Sequence, residues 1–236
     1  MTVAAAPSPI ACEPASGTHS LVAGSKLSGK RAVAVLSDMS QPLGRAVGNA
    51  LEIREAIDVL TPGADTDVRL KELCLRLAAE GIALTKLTPD LETARTRAEE
   101  LLESGAAKEA FRKIIVAQGG DGRVVDEPET ILASAPIVRP VPALSEGHIS
   151  AIDAQTVGEI VVALGGGRSR KEDVIDPAVG VMIAAPIGTH VTAGQPLAHV
   201  HAASEEAAEK AVARLQVVFG VSNEPTTPPP LVHEVL

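Results

Sequence analysis

The segment from Ser37 to Glu55 carries the residues best suited to chemistry in this sequence. Asp38 follows an apolar run, and a Pro-Leu-Gly turn at residues 42–44 separates it from an amphipathic run that carries Glu55. Such a turn leaves carbonyl groups outside a strand ladder, and carbonyl and carboxylate oxygens are the ligands that hard cations prefer. The segment is therefore a candidate cation site. In the alternative interpretation, Glu55 is a solvated helix residue and Asp38 a loop cap.

A second candidate is the glycine-rich basic segment GGGRSRK at residues 165–171. It could cradle a phosphate, and it is the most basic short stretch of the chain. A P-loop, however, requires GxxxxGK[ST] between a strand and a helix. Here the glycines follow a predicted helix, which favours a helix C-cap and a flexible loop.

Histidine and cysteine positions predict no catalytic centre. His199 and His201 alternate on a predicted strand and could share one face as metal ligands, but no third ligand lies at suitable spacing. Cys74 lies in a helical pattern and is predicted to be a buried thiol, and a disulfide with Cys12 is not expected. No Ser-His-Asp or Cys-His arrangement can be assembled, so we assign no catalytic residue.

The elements that must position these residues follow from hydrophobic periodicity. The run at residues 31–37, the loop and the run at residues 48–60 predict a strand, a loop and a helix, which is one βα unit. Loops at the carboxyl ends of such strands are where α/β proteins bind ligands. Residues 1–18 are predicted to be disordered. The remaining predictions are helices at 19–27, 68–84, 90–103 (with Thr88 as N-cap), 106–118, 127–132, 154–164 and 205–218, and strands within 136–153 and at 181–184, 196–201 and 231–236.

Composition narrows the function class. The 236 residues carry a net charge of −9 and only two aromatic residues, both Phe, which argues against a general nucleic-acid binder, since such a protein needs basic patches and stacking platforms. One small local anion site stays compatible with this composition. No apolar run approaches the roughly 20 residues that span a bilayer, and the N-terminal stretch is a poor signal peptide. We expect a cytoplasmic protein with an aliphatic core.

The segment IGTHVTAGQPLAHVHA resembles the half-barrel hairpin of biotinyl and lipoyl carrier domains. In those domains the modified lysine follows at once. Here residues 202–205 are Ala-Ala-Ser-Glu, and Lys210 lies inside a predicted helix. No lysine therefore stands at the position that a carrier domain modifies, and we do not expect a carrier function.

Five motifs in series together resemble the C-terminal half of the thymidine phosphorylase and pyrimidine-nucleoside phosphorylase family. They are SDMSQPLGRAVGNALEIREAI, SGAAKEAFRKIIVAQGGD, GHISAID, VALGGGRSRKEDVIDPAVGV and the IGTHVTAGQPLAHVHA hairpin. The resemblance covers the chain from about residue 20 to its end. It implies part of an α/β catalytic domain at residues 19–135, followed at 136–236 by a smaller α+β C-terminal domain with a barrel-sandwich-like hairpin.

The resemblance also implies a reaction, the phosphorolysis of a pyrimidine nucleoside to a free base and a pentose 1-phosphate by a pentosyltransferase. In the family, a KxSxGGxGD-type phosphate loop and the base-binding residues lie upstream of the SDMSQPLG loop, and the dimer forms through a small helical domain. None of these matches a stretch of the sequence, so we expect a truncated or split phosphorylase homologue with no substrate-binding residue of its own, and no activity from these residues alone. The alternative is a non-catalytic binding or assembly module, or one chain of a split phosphorylase. An anthranilate-type phosphoribosyltransferase shares the catalytic fold but not the C-terminal domain.

One site carries over by position. Pyrimidine-nucleoside phosphorylases bind a potassium ion near the phosphate loop, and the matching ligands here are the backbone carbonyls of Leu43 and Ala46 and the carboxylate of Glu55. The resemblance implies that further ligands come from outside the matched segment, and it implies no organic cofactor.

Overall fold

The structure is a computed structural model that describes residues 14–236, with side chains described from residue 17 onward. The helices are α1 (Pro14–Leu27), α2 (Asn49–Leu60), α3 (Val68–Thr85), α4 (Leu91–Glu103), α5 (Ala106–Ala117), α6 (Pro128–Ile131), α7 (Ala154–Val161) and α8 (Glu205–Leu215). The strands are β1 (Val35–Ser37), β2 (Ala46–Val47), β3 (Ile137–Pro142), β4 (Gly147–Ile152), β5 (Gly180–Ile183), β6 (His190–Val191), β7 (Pro196–Ala202), β8 (Phe219–Ser222) and β9 (Val232–Val235). Among these helices, none has the length and apolar character needed to cross a membrane.

Helices dominate the chain up to α6, and their starts follow from capping. Asp67 accepts a hydrogen bond from the Leu70 amide at the start of α3. Asp90 accepts one from the Thr93 amide at the start of α4, so the predicted N-cap at Thr88 was wrong. An aspartate is the better cap here because its carboxylate reaches the free amides of the first turn.

The second half is built on two sheets. A four-stranded sheet has the order β2-β5-β7-β3 and a three-stranded sheet the order β6-β4-β8, all antiparallel. One large hydrophobic cluster joins both sheets to α7 and α8, and its fully buried members include Val141, Ile149, Leu197 and Leu215. With almost no aromatic residues, close packing of Val, Ile, Leu and Ala side chains fills this core.

Two strand pairings join residues from opposite sides of the domain boundary predicted at residue 135. The C-terminal strand β9 returns to pair with β1, and β2 from the first half forms an edge of the four-stranded sheet beside β5. The pairing of β2 with β5 depends on glycine at two positions. A Cβ atom at Gly180 would lie 2.4 Å from the Val47 carbonyl oxygen, and a Cβ atom at Gly48 would lie 2.6 Å from the Val179 carbonyl oxygen. The loop between β1 and β2 is therefore fixed to both halves.

Most predicted elements are present, with shifted ends. Helix α1 begins at Pro14 and not at residue 19, so residues 14–18 are not disordered as predicted; residues 1–13 lie outside the described range. The predicted strand at residues 31–37 is reduced to β1. The helix predicted at 154–164 ends at Val161 and continues as a π-helical turn, Val162–Gly166, because Gly165 takes a left-handed φ of 101°. The helix predicted to reach residue 218 ends at Leu215, and the unpredicted β8 follows.

Candidate functional site

The loop between β1 and β2 is anchored by two buried polar side chains at its start. The Asp38 carboxylate accepts hydrogen bonds from the Ser40 amide and hydroxyl, at 3.1 and 3.0 Å, and forms an ion pair with the Arg69 guanidinium at 2.8 Å. Gln41 accepts a hydrogen bond from the Ile187 amide at 2.9 Å, across to the second half of the chain. A buried carboxylate needs such partners, and here they hold the loop in one place.

Glu55 reaches back from α2 to the end of the same loop. Its two carboxylate oxygens accept hydrogen bonds from the amides of Arg45, at 2.6 Å, and Ala46, at 3.1 Å. The turn between them requires Gly44, whose φ of +74° is left-handed and whose Cβ would lie 2.5 Å from the Glu55 Oε2 atom. The sequence predicted the turn and the carboxylate, and the structure shows that they are in direct contact.

The environment of Glu55 favours its neutral form. Burial is the main cause that raises the pKa of its carboxyl above the usual value of 4.5, and the nearby Asp67 carboxylate adds to the effect. The two amide hydrogen bonds and the Arg45 guanidinium act in the opposite direction without cancelling it. A cation bound beside Glu55 would act against this effect, because it would stabilise the ionised carboxylate.

Ala46 presents its backbone to the side where Glu55 lies. The Ile183 amide donates to the Arg45 carbonyl at 2.7 Å, which makes Arg45 the hydrogen-bonded partner of β5. In an antiparallel ladder the next residue turns its N–H and C=O away from the neighbouring strand. The Ala46 amide accordingly points to Glu55, and its carbonyl faces away from β5 as well.

All three residues assigned by resemblance line one cavity of about 510 Å³. Leu43 is 39% exposed, Ala46 is buried, and Glu55 stands beside Glu52 as one of two carboxylates on the wall. The remaining wall is mostly apolar and comes from α2 to α5; it comprises Ala56, Val59, Leu60, Leu70, Lys71, Cys74, Leu75, Ala78, Ala98, Leu102 and Ala107. Cys74 is solvent-exposed and not buried as predicted, although the protein atoms around it still desolvate the thiol and raise its pKa. The structure thus brings the three sequence-assigned residues together.

The other sequence candidates do not form sites. In the GGGRSRK segment, the Asp173 carboxylate accepts the amide hydrogen bonds of Ser169, at 3.0 Å, and Arg170, at 2.8 Å, where a phosphate would need them. The pKa of His201 is lowered by burial first and then by His199 and Arg54. Within residues 14–236 no three His, Cys, Asp or Glu side chains are arranged to hold a metal ion.

Sequence reasoning missed the pairing of Asp38 with Arg69, which are 31 residues apart. It also missed the tie from Arg69 to the C-terminal segment, where its guanidinium donates to the Pro229 carbonyl at 2.8 Å. The one available signal was an acid directly after an apolar strand, since such a residue needs a partner once the strand is covered.

Comparisons with known proteins agree with the motifs. The family model described as "Pyrimidine nucleoside phosphorylase C-terminal domain" matches residues 148–222, and "Glycosyl transferase family, a/b domain" matches residues 13–108. The thymidine phosphorylase of Burkholderia orbicola (strain MC0-3) is 39% identical over 207 residues, which is 88% of this chain and 47% of that protein. The pyrimidine-nucleoside phosphorylase of Bacillus subtilis (strain 168) is 38% identical over 208 residues, with the same coverage of 88% and 47%.

The chain spans about half the length of the curated relatives that it matches. The two family models match separate stretches, one on each side of the boundary that the sequence predicted at residue 135. Over these matched stretches, the chain belongs to the thymidine phosphorylase and pyrimidine-nucleoside phosphorylase family.

Proposed function

We propose that this chain forms the C-terminal side of a pyrimidine-nucleoside phosphorylase, a pentosyltransferase that converts a pyrimidine nucleoside and phosphate to the free base and a pentose 1-phosphate. The observation that carries the proposal is the convergence of Leu43, Ala46 and Glu55 on one cavity, in a chain whose relatives are named thymidine or pyrimidine-nucleoside phosphorylase. The phosphate and base contacts would be made by the part of such an enzyme that this chain does not match.

The residues at the loop fit a potassium ion by their chemistry. All candidate donors are oxygens: the carbonyls of Leu43 and Ala46 and the carboxylate of Glu55. A carboxylate has about four lone-pair sites, so Glu55 can keep its hydrogen bonds to the amides of Arg45 and Ala46 and still contact a cation. A bound potassium ion would place positive charge beside the phosphate-binding part of the enzyme.

The chain's own residues have a positioning role in this proposal. Glu55 holds the end of the loop through two amides, and Asp38 and Gln41 hold its start. A loop fixed at both ends keeps its carbonyl groups in place before a cation arrives, which lowers the entropic cost of binding.

Cation binding should depend on pH through Glu55. Only the ionised carboxylate attracts a cation, and the pKa of Glu55 lies above 4.5. At pH 8, KCl is expected to raise the melting temperature of the chain more than N-methylglucamine chloride at the same concentration. This difference should disappear as the pH falls through the pKa of Glu55, because the protonated carboxyl loses the cation.

Two variants control this measurement. Glu55→Gln should abolish the potassium-specific stabilisation at every pH. Glu52→Gln, which removes the neighbouring carboxylate on the same cavity wall, should retain it. Equal stabilisation by both salts would rule out potassium binding by the residues of this chain alone. A potassium effect that survives in Glu55→Gln would rule out Glu55 as a ligand.

Activity is tested in a chimera. The portion of the Bacillus subtilis enzyme outside the matched region is joined to this chain in one polypeptide, and phosphate-dependent release of thymine or uracil from the nucleoside is measured. We expect release above that of either part alone. A folded chimera without phosphorolysis would overturn the proposal.

The second candidate function is a non-catalytic binding or assembly module. It is favoured by the second half of the chain, whose two sheets enclose the large core. That arrangement also supports the finer classification as a barrel-sandwich-like domain, although Lys210, the residue nearest the carrier position, lies within α8 in an ion pair with Glu206. A folded chimera without activity would favour this second function.

A further inference from the structure

We propose that the open edge of β1, with the adjoining loop and cavity, is a docking surface for the portion of a phosphorylase chain that this sequence does not match. The inference rests on the proposed function and adds the surface and the partner. The partner contributes an extended strand to β1 and apolar side chains to the cavity.

The open edge follows from the hydrogen bonds of β1. The amide of Ala34 donates to the Leu236 carbonyl at 3.0 Å and the amide of Leu236 donates back at 2.9 Å, so these residues form a hydrogen-bonded pair. Val35, opposite Val235, is then the residue whose N–H and C=O point away from β9. The sheet contains only β1 and β9 among the described residues, and the outer edge of β1 therefore offers an unused donor and acceptor.

The residues of β1 and those just before it are also less buried than is usual for so apolar a strand. Residues 32–36 form the unbroken apolar run AVAVL, which is typical of a strand buried on both faces. All five are only partly buried, and none belongs to a hydrophobic core cluster of the described chain. A two-stranded sheet is marginally stable by itself, so this run needs a further neighbour.

The apolar surface continues beyond the strand. Met39, two residues after the end of β1, is 85% exposed, and Leu43 at the cavity is 39% exposed. The predicted apolar face of α3 is open as well, because Leu70, Cys74 and Ala78 line the cavity where a core was expected. Clustered exposure of this kind marks an interaction site more often than scattered surface residues do.

The relatives identify the occupant. The match covers 47% of the Burkholderia and Bacillus proteins, so these proteins carry about as much chain again outside it. In each of those proteins the stretch that matches this chain belongs to one longer polypeptide. A partner of that kind brings strands for the edge of β1 and apolar side chains for the cavity, which is the β-augmentation mode of binding.

The experiment is co-expression of this full chain, carrying an affinity tag, with the unmatched portion of the Bacillus subtilis enzyme as a separate untagged chain. We expect the two to purify as an equimolar complex. A tagged chain that is soluble but neither retains nor solubilises the other portion would overturn the proposal.

Variants at the surface sharpen the test. Met39→Glu places a charge at the proposed interface on a side chain that is 85% exposed, and should reduce retention at least about tenfold, which corresponds to about 1.4 kcal/mol. Val217→Glu, at an 82% exposed position outside the surface, should leave retention unchanged. Equal retention in both variants would contradict the assignment of the surface.

Hydrogen exchange on the unsubstituted chain tests the open edge directly, so its result does not depend on whether a variant folds. The Val35 amide should exchange much faster than the paired Leu36 amide, and should become protected in the complex. If Val35 is already protected in the chain alone, or if the chain forms a homodimer that Met39→Glu dissociates, the edge belongs to another occupant and the proposal fails. If the complex forms but shows no phosphorolysis, the docking surface is supported and the proposed activity is wrong. If the covalent chimera is active but the separate chains form no complex, the proposed activity is supported and the docking surface is wrong.

Discussion

Replacing Asp38 with alanine is expected to lower the free energy of unfolding by about 3 kcal/mol, since removal of one member of a buried ion pair leaves the other charge without compensation. The Asp38 side chain is 5% exposed and that of Arg69 26% exposed, so Arg69 regains only part of its hydration. The variant also removes the acceptor for the Ser40 amide and hydroxyl, which releases the start of the loop. Urea unfolding monitored by circular dichroism measures the change.

A double variant without charges at these two positions shows whether the lost stability comes from an uncompensated charge or from lost side-chain packing. The double variant Asp38→Leu/Arg69→Met should recover much of the lost stability, because two apolar side chains leave no buried charge. Glu72→Ala breaks a surface pair with Arg95 and should cost less than about 1 kcal/mol. If Asp38→Ala costs no more than Glu72→Ala, Asp38 does not anchor the loop as described.

Replacing Gly44 with alanine is expected to cost about 3 kcal/mol. A left-handed φ accounts for about 1–2 kcal/mol of this. The remainder comes from Glu55, because the new methyl group would lie 2.5 Å from its Oε2 atom and force the carboxylate away from the amides of Arg45 and Ala46. Potassium-specific stabilisation should be lost together with this contact.

Gly63 provides a matched control for Gly44. Its φ of +75° is nearly the same, and a Cβ there would meet no atom within 4 Å. Gly63→Ala should therefore show the backbone cost alone. Thermal unfolding of both variants measures the difference, and equal destabilisation would mean that the turn does not depend on contact with Glu55.

Much of the fold could be predicted from hydrophobic periodicity and capping. Helices α2 to α5 appear within a residue or two of their expected ends because their apolar spacing and Asp or Gly boundaries are local signals. The strands β2 and β6, each of two residues, carry no periodicity and could not be predicted. The pairing of β1 with β9 joins residues about 200 positions apart, and no local pattern specifies it.

The three candidate ligands could be named from the sequence, whereas the contacts that support their loop could not. Leu43, Ala46 and Glu55 followed from the motif, and the structure places them on one cavity. The ion pair of Asp38 with Arg69 and the contact of Gln41 with Ile187 depend on chain segments brought together only by folding. For the same reason Cys74, expected in a core, lies exposed on the cavity wall.

The most direct test of the central claim is the phosphorolysis rate of the chimera in KCl, compared between the unsubstituted chimera and its Glu55→Gln and Glu52→Gln variants. We expect phosphate-dependent release of the pyrimidine base that falls at least about tenfold in Glu55→Gln and is retained in Glu52→Gln. The expected loss corresponds to about 1.4 kcal/mol of transition-state stabilisation. A chimera equally active in both variants, or a folded chimera that releases no base, would contradict the account.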